Sequence, residues 1–302
     1  MSIYAVSLDG YLREYSSSDL STLLTSADYG TNLRAVAQDD DYVYIGGGTP
    51  QTVRRYTKTD FTFVDATASY GGEIHAIEVD DTHIYVAGLT TNTVRKYLKS
   101  DMSYVGQTAS YGGSILHMKI DDTHIYAGGA TTQTVRKYLK SDLSYIGQTD
   151  SAGDDINGLH LDADYVYYGY SNYFKRANKS DLGGVITSDT SITGEIYGIT
   201  SDDSYVYASG STPSSSFLRK MNKSDLTEIT TSSGLSTGGV RLANDGTYLY
   251  SAGINNRVNR FLMSDMTYVD QSAAATGIIF DVAVRDDGIT AVSPAIFAFG
   301  GV

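Results

Sequence analysis

Short apolar stretches separated by polar turns recur along the whole chain, and they fall into four kinds that follow one another in a fixed order. Examples in that order are Ile115–Ile120, Tyr42–Ile45, VRKYLK from Val94, and Tyr104–Gln107. Each is rich in β-branched or aromatic residues and is bounded by Gly, Asp, Asn or Ser, which is typical of β-strands. No segment keeps the i, i+3, i+4, i+7 apolar spacing of an amphipathic helix. The pattern therefore predicts an all-β protein.

This order of strands repeats with a period of about 41 residues. Asp80–Thr108 and Asp121–Thr149 are identical at 23 of 29 aligned positions. A Ser-Asp or Thr-Asp pair marks each period, with its aspartate at Asp19, Asp60, Asp101, Asp142, Asp181, Asp225 and Asp265. Four antiparallel strands in such a repeat match the blade of a β-propeller. A stacked solenoid, the alternative, usually has a shorter repeat or contains helices.

The number of blades follows from how the chain begins and ends. The first kind of strand occurs seven times, and SIYAVS at the N-terminus aligns with the second-strand sequence HIYVAG. The chain thus starts inside a blade whose innermost strand is Ile279–Val284. We expect one domain over residues 1–287, a seven-bladed ring closed by both termini. Residues 288–302 would form an apolar tail or closing strands, and ITAVS within them leaves eight blades as the alternative.

The strand sequence YVYxGG, the third-strand sequence VRKYxKSD and the apolar first strand together resemble the PQQ-like and YVTN-like propeller-repeat families. The resemblance covers essentially the whole chain. It implies the propeller fold and hardly constrains function. The WD40 signature is missing, because the chain has no Trp and no Gly-His dipeptide opens its blades.

Charge and composition exclude several classes of function. The net charge is −13, from 35 acidic and 22 basic residues, which argues against nucleic-acid binding because such affinity comes largely from basic surfaces. The chain has no Cys, so disulfides and thiolate metal sites are excluded. No stretch approaches 18 apolar residues, and MSIYAVSLDG lacks the basic and apolar regions of a signal peptide. We expect no membrane insertion and no cleavable leader.

Acidic turns between the first and second strands are the most conspicuous candidate metal site. They contain, among others, Asp39, Asp80, Asp121, Asp162, Asp202 and Asp245. A ring of carboxylates could bind Ca²⁺, but Asp also caps its own tight turn. The absence of calcium-loop spacing and the lysines in the neighbouring turns favour capping.

The histidines and glycines give no catalytic signal either. His83 and His124 occupy a slot that is Tyr in other repeats, and His75, His117 and His160 fall at different offsets in their strands. A zinc site is therefore not expected. The chain has no GxSxG motif, and no helix follows the glycine run of residues 46–48. We predict no catalytic residue, no metal and no cofactor.

Two groups of residues are candidates for binding a partner. In the loops between the fourth strand and the next first strand, Tyr29, Tyr70 and Tyr111 recur one period apart, and the loops beside them carry Gln51, Asn92 and Gln133. Tyr among Ser, Thr, Asn and Gly is typical of adaptable binding surfaces; the alternative is that these tyrosines anchor their own turns. The innermost strands vary at Arg34, Tyr197 and Arg241, which could mark a ligand funnel or merely residues lining a wet channel.

These observations favour a non-enzymatic binding or structural module. The Ser-, Thr-, Gly-, Tyr- and Asp-rich, Cys-free composition resembles propeller-like virion appendages of tailed bacteriophages. That resemblance implies a virion location, or otherwise a cytoplasmic one, with virion or scaffold proteins or a cell-surface glycan as partners. One alternative is a funnel enzyme, a lyase or quinone-type propeller, which would need Arg34, His75, Arg241 and Asp281 at one level. Another is an intracellular peptide-binding scaffold.

Overall fold

The protein is a ring of seven four-stranded antiparallel sheets. The computed structural model describes residues 1–188, 194–212, 216–235, 239–253 and 255–284, and these contain strands β1–β28 and no helix. Blade 1 contains β28 (Ile279–Val284), β1 (Ser2–Ser7), β2 (Leu12–Ser16) and β3 (Thr22–Thr25). The other blades follow in chain order, each with its innermost strand first.

Blades 2 to 4 are the best matched to one another. Blade 2 contains β4 (Thr31–Gln38), β5 (Tyr42–Thr49), β6 (Arg54–Thr57) and β7 (Phe63–Ala66). Blade 3 contains β8 (Ile74–Val79), β9 (His83–Gly88), β10 (Arg95–Leu98) and β11 (Tyr104–Gln107). Blade 4 contains β12 (Ile115–Ile120), β13 (His124–Gly129), β14 (Arg136–Leu139) and β15 (Tyr145–Gln148).

Blades 5 to 7 keep the same order with more variation in strand length. Blade 5 contains β16 (Gly158–Leu161), β17 (Tyr165–Tyr170), β18 (Tyr173–Asn178) and β19 (Ile186–Thr187). Blade 6 contains β20 (Glu195–Ser201), β21 (Tyr205–Ser211), β22 (Ser216–Asn222) and β23 (Glu228–Leu235). Blade 7 contains β24 (Gly239–Asn244), β25 (Tyr248–Gly253), β26 (Val258–Leu262) and β27 (Tyr268–Gln271).

The two ends of the chain close the ring, as the sequence predicts. Strand β28 pairs with β1 in antiparallel register, with Ile3 opposite Val284 and Ala5 opposite Val282. Because β28 is the innermost strand of blade 1, the chain leaves no blade with an unpaired inner edge. Seven blades are therefore confirmed. The expected tail at 288–302 lies outside the described residues.

The hydrophobic core lies between the blades. The cluster between blades 3 and 4, for example, joins Tyr85 and Val94 of one blade to Ile115, Ile125 and Tyr138 of the next, all essentially buried. Six similar clusters fill the other interfaces. Each repeat thus buries its apolar face only against a neighbour, which is why a ring is needed.

The Ser-Asp turns between the third and fourth strands share one local structure. In each, the aspartate Oδ1 accepts a hydrogen bond from the backbone N–H two residues later, as Asp101 does from Ser103 at 2.9 Å. The apolar residue between them has a positive φ and is buried: Leu20, Phe61, Met102, Leu143, Leu182, Leu226 and Met266. Since this backbone is unfavourable for such residues, burial of the side chain offsets it.

A buried basic residue in the third strand fastens each of six blades to the next one. Lys96 Nζ donates to the carbonyl oxygen of Lys140 at 2.7 Å, and Lys137 Nζ donates to those of Lys179 and Ser180 at 2.7 and 3.1 Å. The equivalent donors in the other blades are Arg55, Arg176, Lys220 and Arg260. These six side chains are 5–8% exposed, so carbonyl acceptors are required to stabilise their buried charge. The remaining blade, blade 1, has Glu14 at this position.

Candidate functional site

In the acidic turns, the candidate cation site, the capping aspartates are hydrogen-bonded within the protein. Asp80 Oδ1 accepts hydrogen bonds from the backbone N–H groups of Thr82 and His83 at 2.9 and 2.7 Å. Its Oδ2 accepts from the Tyr85 hydroxyl at 3.0 Å and lies 2.6 Å from Lys140 Nζ of the next blade. The carboxylate thus caps its turn and joins two blades, which supports the capping interpretation.

Three further turns repeat this arrangement. The Lys–Asp pairs and their N–O distances are Lys99–Asp39 at 2.6 Å, Lys179–Asp121 at 3.6 Å and Lys223–Asp162 at 2.7 Å. Burial by itself would raise the pKa of Asp39, but the hydrogen bonds from Lys99 and Tyr44 hold it below its usual value. No group of three or more potential ligands suited to a metal ion occurs in the described parts of the chain.

The three loop tyrosines point inward, so the prediction that they form a binding surface needs correction. Tyr70 and Tyr111 are 0% exposed and Tyr29 is 8% exposed. The hydroxyls of Tyr70 and Tyr111 donate to the carbonyl oxygens of Thr93 and Thr134 at 2.9 and 2.6 Å. The Tyr29 hydroxyl donates to the Phe61 carbonyl at 3.1 Å. These rings anchor turns because a phenol can bury its body and still satisfy its hydroxyl.

The polar loop residues beside these tyrosines keep their predicted position. The backbone carbonyls of Gln51 and Asn92 accept from the N–H groups of Tyr70 and Tyr111, both at 2.6 Å, and that of Gln133 accepts from Ala152 at 2.7 Å. Gln51 is exposed, whereas Asn92 and Gln133 are half-buried. We call the side of the disc that carries Gln51, Asn92 and Gln133 the loop face, and the side that carries the acidic turns the turn face. Binding by these three residues stays a prediction.

The axial channel holds the remaining candidates, and β-bulges aim some of them into it. Register shifts between Leu33 and Ala35 and between Ile196 and Gly198 leave Arg34 and Tyr197 as the extra residues of their strands. Bulges commonly re-aim a side chain in this way. Arg241 differs, because it pairs with Ala252 just after its bulge. It therefore lies one level further along the axis than Arg34. The sequence alone suggests that the two residues occupy the same position in their strands.

Arg34 and His75 form one polar group on neighbouring blades. Arg34 Nε makes a short ion pair with Glu73, and its guanidinium lies 4.3 Å from the centre of the Phe280 ring. His75 Nε2 is 3.7 Å from Glu73 Oε1, beyond hydrogen-bonding distance. Burial, followed by the charges of Arg34 and Arg241, lowers the pKa of His75 to about 4. His75 is therefore neutral at physiological pH.

Arg241 forms the second group and reaches across the ring axis. Its Nη1 lies 3.0 and 2.7 Å from Nδ1 and Nε2 of His117, on a blade three positions away. Nη1 also donates to the Tyr197 carbonyl at 3.3 Å, and Nε is 3.7 Å from Asp281 Oδ1. Burial and the Arg241 charge hold the pKa of His117 well below its usual value, so a neutral His117 accepts from the guanidinium.

Further along the axis, a third pair crosses a blade boundary. Lys119 Nζ lies 2.5 Å from Glu78 Oε1. Nearby, His160 Nε2 is 3.0 Å from Ser201 Oγ, and burial lowers the pKa of His160 to about 3. Sequence reasoning missed the pair, although Glu78 and Lys119 are 41 residues apart, each two residues before a copied segment.

Several of these residues line a cavity of about 870 Å³ that opens between the acidic turns. We call it the axial cup; its walls include Gln38, His75, Glu78, Lys119, Arg241 and Asp281. Arg34 does not line it. By strand register, Arg34 and His75 lie at one level of the axis and Arg241 and Asp281 at the next.

The fold and the cup define a β-propeller with a polar axial cavity. The structure is similar to that of the computationally designed Ika8 protein, with a TM-score of 0.74 and 12% identity over 94% of this chain and 88% of that chain. At that identity the likeness concerns the fold alone. No family profile and no curated protein matches the sequence. Within the described residues, no helix is long and apolar enough to cross a membrane.

Proposed function

We propose that the chain is a non-enzymatic binding disc that attaches to a protein partner or a surface glycan through its loop face. The observation that carries this is the use of the repeated polar residues. The basic third-strand residues and the acidic turns hold neighbouring blades together, and the loop tyrosines hold their own turns. The copied residues are thus committed to the frame, which leaves the loop tips free to vary and to bind.

The more specific proposal is a virion-associated role, as a capsid decoration or tail protein. Its support is the resemblance in composition to propeller-like appendages of tailed bacteriophages, together with an acidic chain of net charge −13 that suits solubility outside a membrane. The proposal that the disc is not an enzyme rests on the channel, where Arg34, Arg241 and Lys119 are each paired with a carboxylate. A charge already paired in this way is less available to a reacting group.

The test compares two triple variants that differ only in the face they alter. The first is Gln51→Ala, Asn92→Ala, Gln133→Ala on the loop face. The control changes three exposed turn-face aspartates with the same spacing, Asp40→Ala, Asp81→Ala and Asp122→Ala.

Binding is measured to purified phage particles, to intact host cells and to an immobilised glycan panel. We expect the loop-face variant to bind its target at least tenfold more weakly, equal to about 1.4 kcal/mol, and the control to bind like the original. Equal binding by both variants, or no binding of the original protein to any target, would refute the proposal.

A further inference from the structure

The Arg241 side chain crosses the ring axis within the axial cup. The Arg241 guanidinium spans the axis to His117, with N–N distances of 2.7 and 3.0 Å. The same strand level holds small residues in other blades, including Ala35, Ala76 and Gly158. The cavity opens at the turn face, between the acidic turns.

The charges inside the cup are arranged in opposite pairs. Glu78 on blade 3 pairs with Lys119 on blade 4, and Asp281 on blade 1 pairs with Arg241 on blade 7. An ion deep in the cup would meet charges that are already paired, and it would lose hydration that the site does not replace. The exposed aspartates around the mouth further disfavour anions. The cup is therefore suited to a ligand without net charge.

Two buried polar atoms on the cup walls have no hydrogen-bond partner among the described residues: His75 Nε2 and Gln38 Oε1. A buried polar atom without a partner costs free energy, and a hydrogen bond from a ligand at the wall would remove that cost. The walls also present donors (Lys119, Arg241) beside acceptors (Glu78, Asp281). A hydroxyl group both donates and accepts, so an array of hydroxyls can satisfy both kinds.

We propose that the axial cup binds a small neutral polyhydroxylated ligand, of the size of one or two sugar units, with His75 and Gln38 contributing hydrogen bonds and Tyr197 forming part of the lining. A volume of about 870 Å³ falls in the range of small-molecule sites. This site lies on the opposite side of the disc from the loop face, so it is independent of the proposed attachment.

The test titrates the full chain with neutral hexoses and N-acetylhexosamines, each beside its uronate and amino-sugar counterparts, and follows binding by ligand-observed NMR and calorimetry. We expect at least one neutral sugar to bind with a Kd of about 1 mM or tighter, and its charged counterparts to bind at least tenfold more weakly. Charged counterparts that bind as tightly, or no saturable binding of any neutral sugar, would overturn the proposal.

Variants then locate the site. His75→Phe should weaken sugar binding at least tenfold, whereas the control His124→Tyr, which introduces the residue that other blades carry at that slot, should leave it unchanged. Circular dichroism checks folding, and Gln38→Met replaces His75→Phe if the latter does not fold. Sugar binding that survives the cup variant but is lost in the loop-face triple variant would overturn this inference while supporting the loop-face function.

Discussion

Replacing Lys140 by Met tests whether the ion pairs between blades stabilise the ring. Lys140 Nζ lies 2.6 Å from Asp80 Oδ2, with side chains 12% and 22% exposed, and it also donates to the Asp121 carbonyl at 3.1 Å. Blade 7 carries Met263 at the equivalent position, 4% exposed, so the fold accommodates this side chain. The substitution therefore removes the charge with little steric change.

We expect the free energy of unfolding to fall by about 1–2 kcal/mol at pH 7. Exposed ion pairs contribute about 0.2–1 kcal/mol, but this pair is more buried, and the hydrogen bond to the Asp121 carbonyl is lost as well. For a chain of this size that loss of stability corresponds to about 2–6 °C in Tm. Urea unfolding followed by circular dichroism measures the free energy, in a double-mutant cycle with Asp80→Asn. The control is Asp202→Asn. The residue of the next blade that stands where Lys140 stands relative to Asp80 is Met263. The free-energy cost of Asp202→Asn should therefore be the same with and without Lys140→Met.

The pH dependence separates charge from packing. Burial would raise the pKa of Asp80, but the hydrogen bonds from Lys140 and from the backbone N–H groups of Thr82 and His83 lower it further than burial raises it. A carboxyl with a depressed pKa stabilises the fold fully above its unfolded pKa of about 3.9, and this stability is lost as pH falls toward the folded pKa. The difference between the original protein and Lys140→Met should thus be constant from about pH 7 to 5 and shrink below about pH 4. A difference that persists unchanged to about pH 2.5, or none at pH 7, would refute the reasoning.

Four shorter predictions address other parts of the frame. Tyr111→Phe should cost about 1 kcal/mol because the Thr134 carbonyl loses its donor, whereas Tyr104→Phe, at an exposed ring, should cost under about 0.5 kcal/mol; urea unfolding compares the two. Lys137→Met should cost about 1–3 kcal/mol, as the hydrogen bonds from its ammonium group to the carbonyls of Lys179 and Ser180 are lost, and unchanged stability would contradict the fastening role. Added Ca²⁺ should leave the Tm unchanged, and a rise that saturates with concentration would show that the acidic turns bind it. Truncation before Ile279 should abolish a single cooperative transition in calorimetry, since blade 1 then lacks its innermost strand.

The period, the strand order and the ring closure could be predicted because they depend on local signals. Alternating apolar positions and turn residues repeat in every blade, and the partial blade at the N-terminus requires a strand from the other end. The orientation of the loop tyrosines could not be predicted, because a Tyr in a Gly-rich loop can face either way. What decides it is a contact distant in sequence: Tyr111 lies under the Arg136 guanidinium, 5.0 Å from its ring centre.

The residues of the axial cup were only partly foreseeable. The level of Arg241 could have been found by counting back from the aspartate of the following turn. Arg241 precedes Asp245 by four residues, and His117 likewise precedes Asp121 by four. Arg34, in contrast, precedes Asp39 by five residues. The burial of Lys96 was harder to foresee, since lysine is seldom buried. Its signal was the basic residue at this position in six blades.

The antiparallel pairing of β1 with β28 determines how the ring responds to mechanical force. Ile3 lies opposite Val284, so the free ends of both strands emerge at the same end of the pair. A pull applied at these two points is perpendicular to the strands and loads the interstrand hydrogen bonds one at a time, since those bonds are perpendicular to the strands. The ring should therefore unzip at low force from within blade 1, the blade that both ends of the chain build together.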